Sequence, residues 1–267
     1  MFISGFLVSG SPNAEHENKT LVFYQRKLLR IFPLYLVALI VFYVFGINNE
    51  IVTLKAVFLT SMLFKPAPTT LWFITMIMLF FALVPLLIHA SKNLKLFLLV
   101  SILFILFFAL MEFLFNSVDH RIFIYFPIFC YGIYYSRSER MFSGKQLKFI
   151  LGVCLIAMLG MTIQNKPEWL VTINECIVAS TGAILVFTFA RNRAKKFVPN
   201  KLILIASFSS FSMYLFHRPL YEVLKNVYFP ADGMWQILYL YFCLVIIVLV
   251  SWWIQFVYDR CLKALNN

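Results

Sequence analysis

Stretches of about 20 consecutive apolar residues recur along this 267-residue chain, and no other feature narrows its fold as much. A helix rises about 1.5 Å per residue, so about 20 residues cross the roughly 30 Å hydrocarbon layer of a bilayer. Several such runs in one chain mean a helix bundle that has lipid as its solvent. The other spanning structure, a closed barrel, needs short segments of alternating polar and apolar residues, whereas the segment from Ile237 to Val250 is apolar on every side. A water-soluble fold is excluded too. With 62% of residues hydrophobic and 13% charged, the chain carries more apolar surface than a soluble domain of its size can bury.

The runs predict complete spans at 29–47, 71–89, 96–115, 122–135, 149–164, 170–190, 202–220 and 235–258. The expected fold is all-α: a polytopic transmembrane bundle of eight full spans, one integral-membrane domain over residues 1–267. Residues 1–10 are also apolar, but ten helical residues reach only about 15 Å, so they read as the cut end of a ninth span. Segment 51–64 is apolar yet short, and it carries Lys55, Thr53, Thr60 and Ser61. The distribution of positive charge decides how to treat it. If it does not cross, all 23 Lys and Arg except Lys55, Lys65, Arg121, Lys166, Arg218 and Lys225 fall on the inner side. If it crosses, the two densest basic loops move outside. The segment is therefore expected to be interfacial or re-entrant and covered by protein, with Met1 outside and the C-terminus cytoplasmic. Trp72, Trp169 and Trp235 then mark outer span ends, and Trp252 with Trp253 an inner end. On this reading the net charge of +12 reports topology, and no nucleic-acid partner is expected. The five cysteines form no C-x-x-C pair, so neither disulfides nor a metal site is expected. Nor does the start show a cleavable signal peptide.

Two segments concentrate polar chemistry. Arg26 and Arg30, in Phe23-Tyr24-Gln25-Arg26-Lys27-Leu28-Leu29-Arg30-Ile31-Phe32-Pro33, are four residues apart, so on a helix their guanidinium groups share a face and can grip a phosphate or carboxylate. Snorkelling at the inner leaflet is the simpler account of such a pair. Pro33 favours a cavity, because a proline inside a span frees a backbone carbonyl and bends the helix. The second segment runs from Ser207 to Pro219. Ser207, Ser210, Tyr214 and His217 form one polar stripe at helical spacing, widened by Ser209 and Ser212. The serines fit interhelical hydrogen bonding as well as a cavity wall; His217 beside Arg218 points to a wet functional cavity. Glu175, beside Asn174 in mid-span, is expected to face the bundle interior, either orienting a catalytic group or pairing with an arginine. Glu112 and His89 sit at span ends and are expected to be solvated by headgroups; His16 and His120 are expected in loops.

Four motifs carry a resemblance to a known family. Phe2-Ile3-Ser4-Gly5-Phe6-Leu7 is similar to an F-x-S-G-F stretch in a second helix, and Arg26-Lys27-Leu28-Leu29-Arg30-Ile31-Phe32-Pro33-Leu34-Tyr35 to an R-R-x-x-R-I-x-P-x-Y start of a third. Leu71-Trp72-Phe73-Ile74, leading to Phe80 and Pro85, is similar to an L-W-F-L helix, and Ser210-Phe211-Ser212-Met213-Tyr214-Leu215-Phe216-His217 to a late S-Y-S-x-Y-L-x-H segment. In this order they resemble acyltransferase family 3, membrane proteins of which many O-acetylate bacterial surface polysaccharides. The resemblance implies ten helices with an inner N-terminus, so one helix would precede Met1. That first helix carries the family's arginine and, eleven residues on, its base histidine; no residue here matches either. Ile77 and Met78 stand where some members have glutamate.

The resemblance further implies transfer of an acyl group, most often acetyl from acetyl-CoA, to a hydroxyl of a saccharide or glycolipid at a bacterial inner membrane. Arg26 and Arg30, with Ser4 and Gly5, are the expected donor-binding residues. His217 and Tyr214 are the expected catalytic groups on the acceptor side, although the charge count puts His217 near the opposite membrane face from the arginines and so makes it a poor replacement for the base. A transporter or flippase of a glycan or small solute also fits a polar stripe with Glu175, but no internal repeat of the kind common in transporters is visible. An inactive truncated remnant of the acyltransferase is the third expectation.

Overall fold

The computed structural model describes residues 1–10, 20–138, 143–162, 167–194 and 198–266. His16 and Lys166, and among the inner-side positive charges Lys19, Arg140, Lys195 and Lys196, lie outside the described residues. Among the described residues there are ten helices and no strand: α1 (Phe2–Ser9), α2 (Thr20–Val44), α3 (Glu50–Val57), α4 (Trp72–Ala90), α5 (Leu94–Phe115), α6 (Arg121–Ser138), α7 (Gly144–Met161), α8 (Glu168–Ala194), α9 (Lys201–Val227) and α10 (Gly233–Asn266). Six of them (α2, α4, α5, α7, α8 and α10) are long and apolar enough to cross a membrane, and the protein is an integral membrane protein. The other two predicted spans, 122–135 and 202–220, exist as α6 and α9 but fall outside that set. Arg121 and Arg137 at the ends of α6, and the serines with His217-Arg218 in α9, lower their hydropathy.

Local chemistry sets the helix ends. Asn49, Asn93, Ser143 and Asn200 are N-caps whose side chains accept from backbone N–H groups of the first turn, and Ser143 with Gln146 completes a reciprocal capping box. Asn116 ends α5 in the left-handed region at φ 46°, donating its N–H to the Glu112 carbonyl. Several helices overrun their apolar runs. The span expected at 29–47 begins at Thr20 and stops at Val44, where Gly46 turns the chain at φ 66°.

The chain divides into two compact units. One holds residues 1–25, 59–67 and 73–197; the other holds 26–58, 68–72 and 198–267. In the first, α1 packs on α6 and α8 through Phe2, Phe6, Tyr131, Tyr135 and Phe187, and Phe80 of α4 meets Phe126 and Phe129 of α6. Its loop at 62–65 is tied to the loop after α5, since Asp119 N–H donates to Met62 O and Lys65 N–H to Ser117 O. Glu112 completes this tie. Its partly exposed carboxylate accepts from Lys65 Nζ at 2.8 Å and from Val118 N–H at 2.7 Å. Glu112→Ala leaves that N–H without an acceptor, and thermal unfolding in detergent should show a loss of about 1–3 kcal/mol; the ion pair itself is partly exposed and adds little.

In the second unit, Tyr35, Ala38, Leu39, Phe42, Ala56 and Leu215 are fully buried. Here the ambiguous segment resolves. Its helical part, α3, has eight residues and is about 12 Å long. Thr69 N–H donates to Asn48 Oδ1 at 3.3 Å, so the two ends of the stretch that contains α3 lie together, and α3 is too short to cross as a helix. Tyr35 donates to Ala56 O at 3.2 Å and holds α3 from the buried side.

Three of the four prolines inside the described helices, Pro33, Pro85 and Pro127, are handled in the same way. A proline breaks the ladder and exposes carbonyls three and four residues earlier, and lipid offers no water to satisfy them. Side chains from other helices do so. Tyr258 takes the carbonyls of Leu29 and Arg30 ahead of Pro33, Tyr24 that of Ala82 ahead of Pro85, and the Cys176 thiol that of Ile124 ahead of Pro127.

Candidate functional site

Arg26, Arg30, Tyr214 and His217 belong to the second unit, Ser4 and Gly5 to the first. Arg26 and Arg30 stand one turn apart on α2, both exposed, and neither has an acidic partner among the described residues. Their turn is held from below by the Tyr258 hydroxyl, 2.9 Å from Leu29 O and 3.2 Å from Arg30 O.

The groups of the α9 stripe differ in where they bond. Ser212 donates to Ser251 O of α10 at 2.6 Å, the interhelical role open to the serines, while Ser210 donates within its own helix to Ser207 O. The Tyr214 phenol donates to the Thr70 carbonyl. Thr70 lies at φ 60°, a backbone region that β-branched residues rarely enter. His217 Nδ1 lies 3.2 Å from Met213 O and 2.9 Å from Tyr214 O. Carbonyls only accept, so Nδ1 carries the hydrogen, and in the neutral ring Nε2 keeps its lone pair.

His217 lines a groove of about 610 Å³ between α9 and α10. Ser210, Tyr214, Arg218 and Tyr221 form its polar wall, and Leu240, Leu244 and Ile247 its apolar wall. Register fixes its depth. The bonds Ser212 to Ser251 and Tyr239 to Leu224 place His217 level with Ile246, about twelve residues, or roughly 18 Å, along α10 from Tyr258 and the Arg30 turn.

Gly5 is buried, and its close approach is to helix backbone. A Cβ there would sit 2.2 Å from Phe129 O, and one at Gly132 would sit 2.2 Å from Phe2 O. The two glycines let α1 and α6 touch main chain to main chain. Ser4 beside it is half-buried. Glu175 is half-buried on α8 with no ion-pair partner among the described residues. Among the described residues, no three His, Cys, Asp or Glu side chains converge as a metal site would require.

A family model described as an acyltransferase domain matches residues 1–256. The chain belongs to acyltransferase family 3. No curated protein and no solved structure gives a match. Membership makes the protein a membrane acyltransferase. In this acyltransferase, Tyr258 and Thr70 escaped sequence reasoning although each anchors a candidate residue's surroundings. Pro33 was the available signal for the first, since a proline in a span announces an orphan carbonyl without naming its donor. Nothing in the sequence announces that Thr70 adopts a positive φ.

Proposed function

We propose that this acyltransferase moves an acyl group, acetyl from acetyl-CoA, to a hydroxyl of a cell-surface saccharide or glycolipid at a bacterial inner membrane, with its C-terminus cytoplasmic. The observation that carries the reading is His217, whose Nδ1 is committed to carbonyls while its ring lines the α9–α10 groove. Arg26 and Arg30, which have no acidic partner among the described residues, bind the phosphates of the donor from one helix face. Ser4 and Gly5 join the donor side through the resemblance alone.

The acceptor hydroxyl gives its proton to Nε2 of His217 as its oxygen attacks the thioester carbonyl. The tetrahedral oxyanion collapses, the C–S bond breaks, and the departing CoA thiolate takes the proton. Arg218 supplies positive charge beside the groove, where such an oxyanion needs it. Tyr214, held by Thr70, keeps the α9 wall in place.

The test is incorporation of labelled acetyl from acetyl-CoA into glycan by the protein in proteoliposomes, run beside solute uptake. Incorporation without uptake is expected. Arg30→Ala should weaken donor binding about tenfold to a hundredfold, the loss of charge-assisted hydrogen bonds; normal incorporation by the variant at low donor concentration counts against the donor site, and uptake without incorporation points to a transporter.

A further inference from the structure

Pro33 lacks an N–H, so the Leu29 carbonyl four residues earlier has no helical donor. The Tyr258 hydroxyl donates to that carbonyl at 2.9 Å and lies 3.2 Å from the next one, Arg30 O. One hydroxyl from another helix is thus set against the broken ladder, within hydrogen-bond distance of both carbonyls of that turn. The turn it repairs is the one that presents Arg26 and Arg30, and α10 brings the repair from more than 220 residues away in the chain. At Pro85 and Pro127 a side chain also takes a freed carbonyl, but at Pro33 the mended turn carries two arginines on one face.

We infer that Tyr258 is a positioning residue for the anionic donor: by closing the ladder at Pro33 it sets the pitch of the 26–30 turn, so that both guanidinium groups address one phosphate-bearing ligand together. This rests on the acyl-CoA reading of the two arginines. Two guanidinium groups held in place lose less freedom on binding than two on a frayed turn.

The experiment uses the full chain in nanodiscs, with coenzyme A as the probe, calorimetry for affinity and backbone-amide exchange over residues 29–34. Tyr258→Phe should weaken coenzyme A about five- to tenfold and raise the KM for acetyl-CoA alike, with kcat at saturation changed less than about twofold. It should also speed exchange at Leu34. The decisive variant is Pro33→Ala combined with Tyr258→Phe. Alanine restores the N–H that Leu29 O lacks, so the double variant should bind coenzyme A within about twofold of Pro33→Ala alone. A purely structural role predicts lower kcat and thermal midpoint with unchanged KM, and no rescue by alanine. Wild-type affinity in Tyr258→Phe, or a loss that Pro33→Ala leaves in place, overturns the assignment. Failure of the wild type to bind coenzyme A removes the donor reading and this role with it, whereas wild-type binding with unchanged Leu34 exchange in Tyr258→Phe removes the role of Tyr258 alone.

Discussion

His217→Ala is expected to lower kcat for acetyl transfer about 10²- to 10⁴-fold, the range in which a positioned general base contributes, while leaving coenzyme A affinity unchanged. The size follows from the ring's fixed tautomer. With Nδ1 held on the carbonyls of Met213 and Tyr214, only Nε2 can take the acceptor's proton. Among the described residues no other imidazole lines the groove. The separation in effect follows from depth, because His217 lies roughly 18 Å along α10 from the level of the Arg30 turn. Initial rates in proteoliposomes, with calorimetric donor binding, check both halves. A loss in kcat of less than about tenfold would show that another group accepts the proton.

Gly132→Val should destabilise the protein by about 2–5 kcal/mol, in the class of severe overpacking. Even a Cβ at this position meets Phe2 O at 2.2 Å and Phe6 N at 3.0 Å, and both are backbone atoms that cannot swing aside. Helix α1 would have to retreat, opening the contacts of Phe2 with Tyr131, Tyr135 and Phe187. Gly152→Ala supplies the control. A Cβ there meets nothing within 4 Å, and alanine is the better helix former, so stability should hold or rise by up to about 1 kcal/mol. Thermal unfolding in detergent distinguishes the pair; equal midpoints for the two variants would mean that α1 does not dock as closely as described.

How far the sequence could be read depended on the range of the interaction. Each predicted span has a helix at its place, because a backbone in lipid must satisfy its own hydrogen bonds within the segment. The 51–64 segment was legible as too short for a spanning helix, and the helix it contains, α3, has eight residues. Helix ends were less legible. Apolar runs mark the hydrocarbon, whereas α2 and α10 continue beyond it through polar residues that remain good helix formers. The ion pair of Glu112 was not legible, because its partner Lys65 is 47 residues away, beyond anything local pattern reports. The exposed arginine pair was visible as spacing, and His217 as the end of a polar stripe.

What the sequence determined by itself is that lipid is the solvent, that helices are the only spanning elements, and that Pro33 leaves a carbonyl in want of a donor. Only the tertiary structure decided which donor arrives, that His217 turns Nδ1 away from the groove, and that Gly5 and Gly132 serve each other's helices. The physical reason is that hydrophobic length and backbone valence act residue by residue along the chain. A hydrogen bond from Tyr258 to Leu29, or a contact from Gly132 to Phe2, exists only once separate helices have chosen their faces and register.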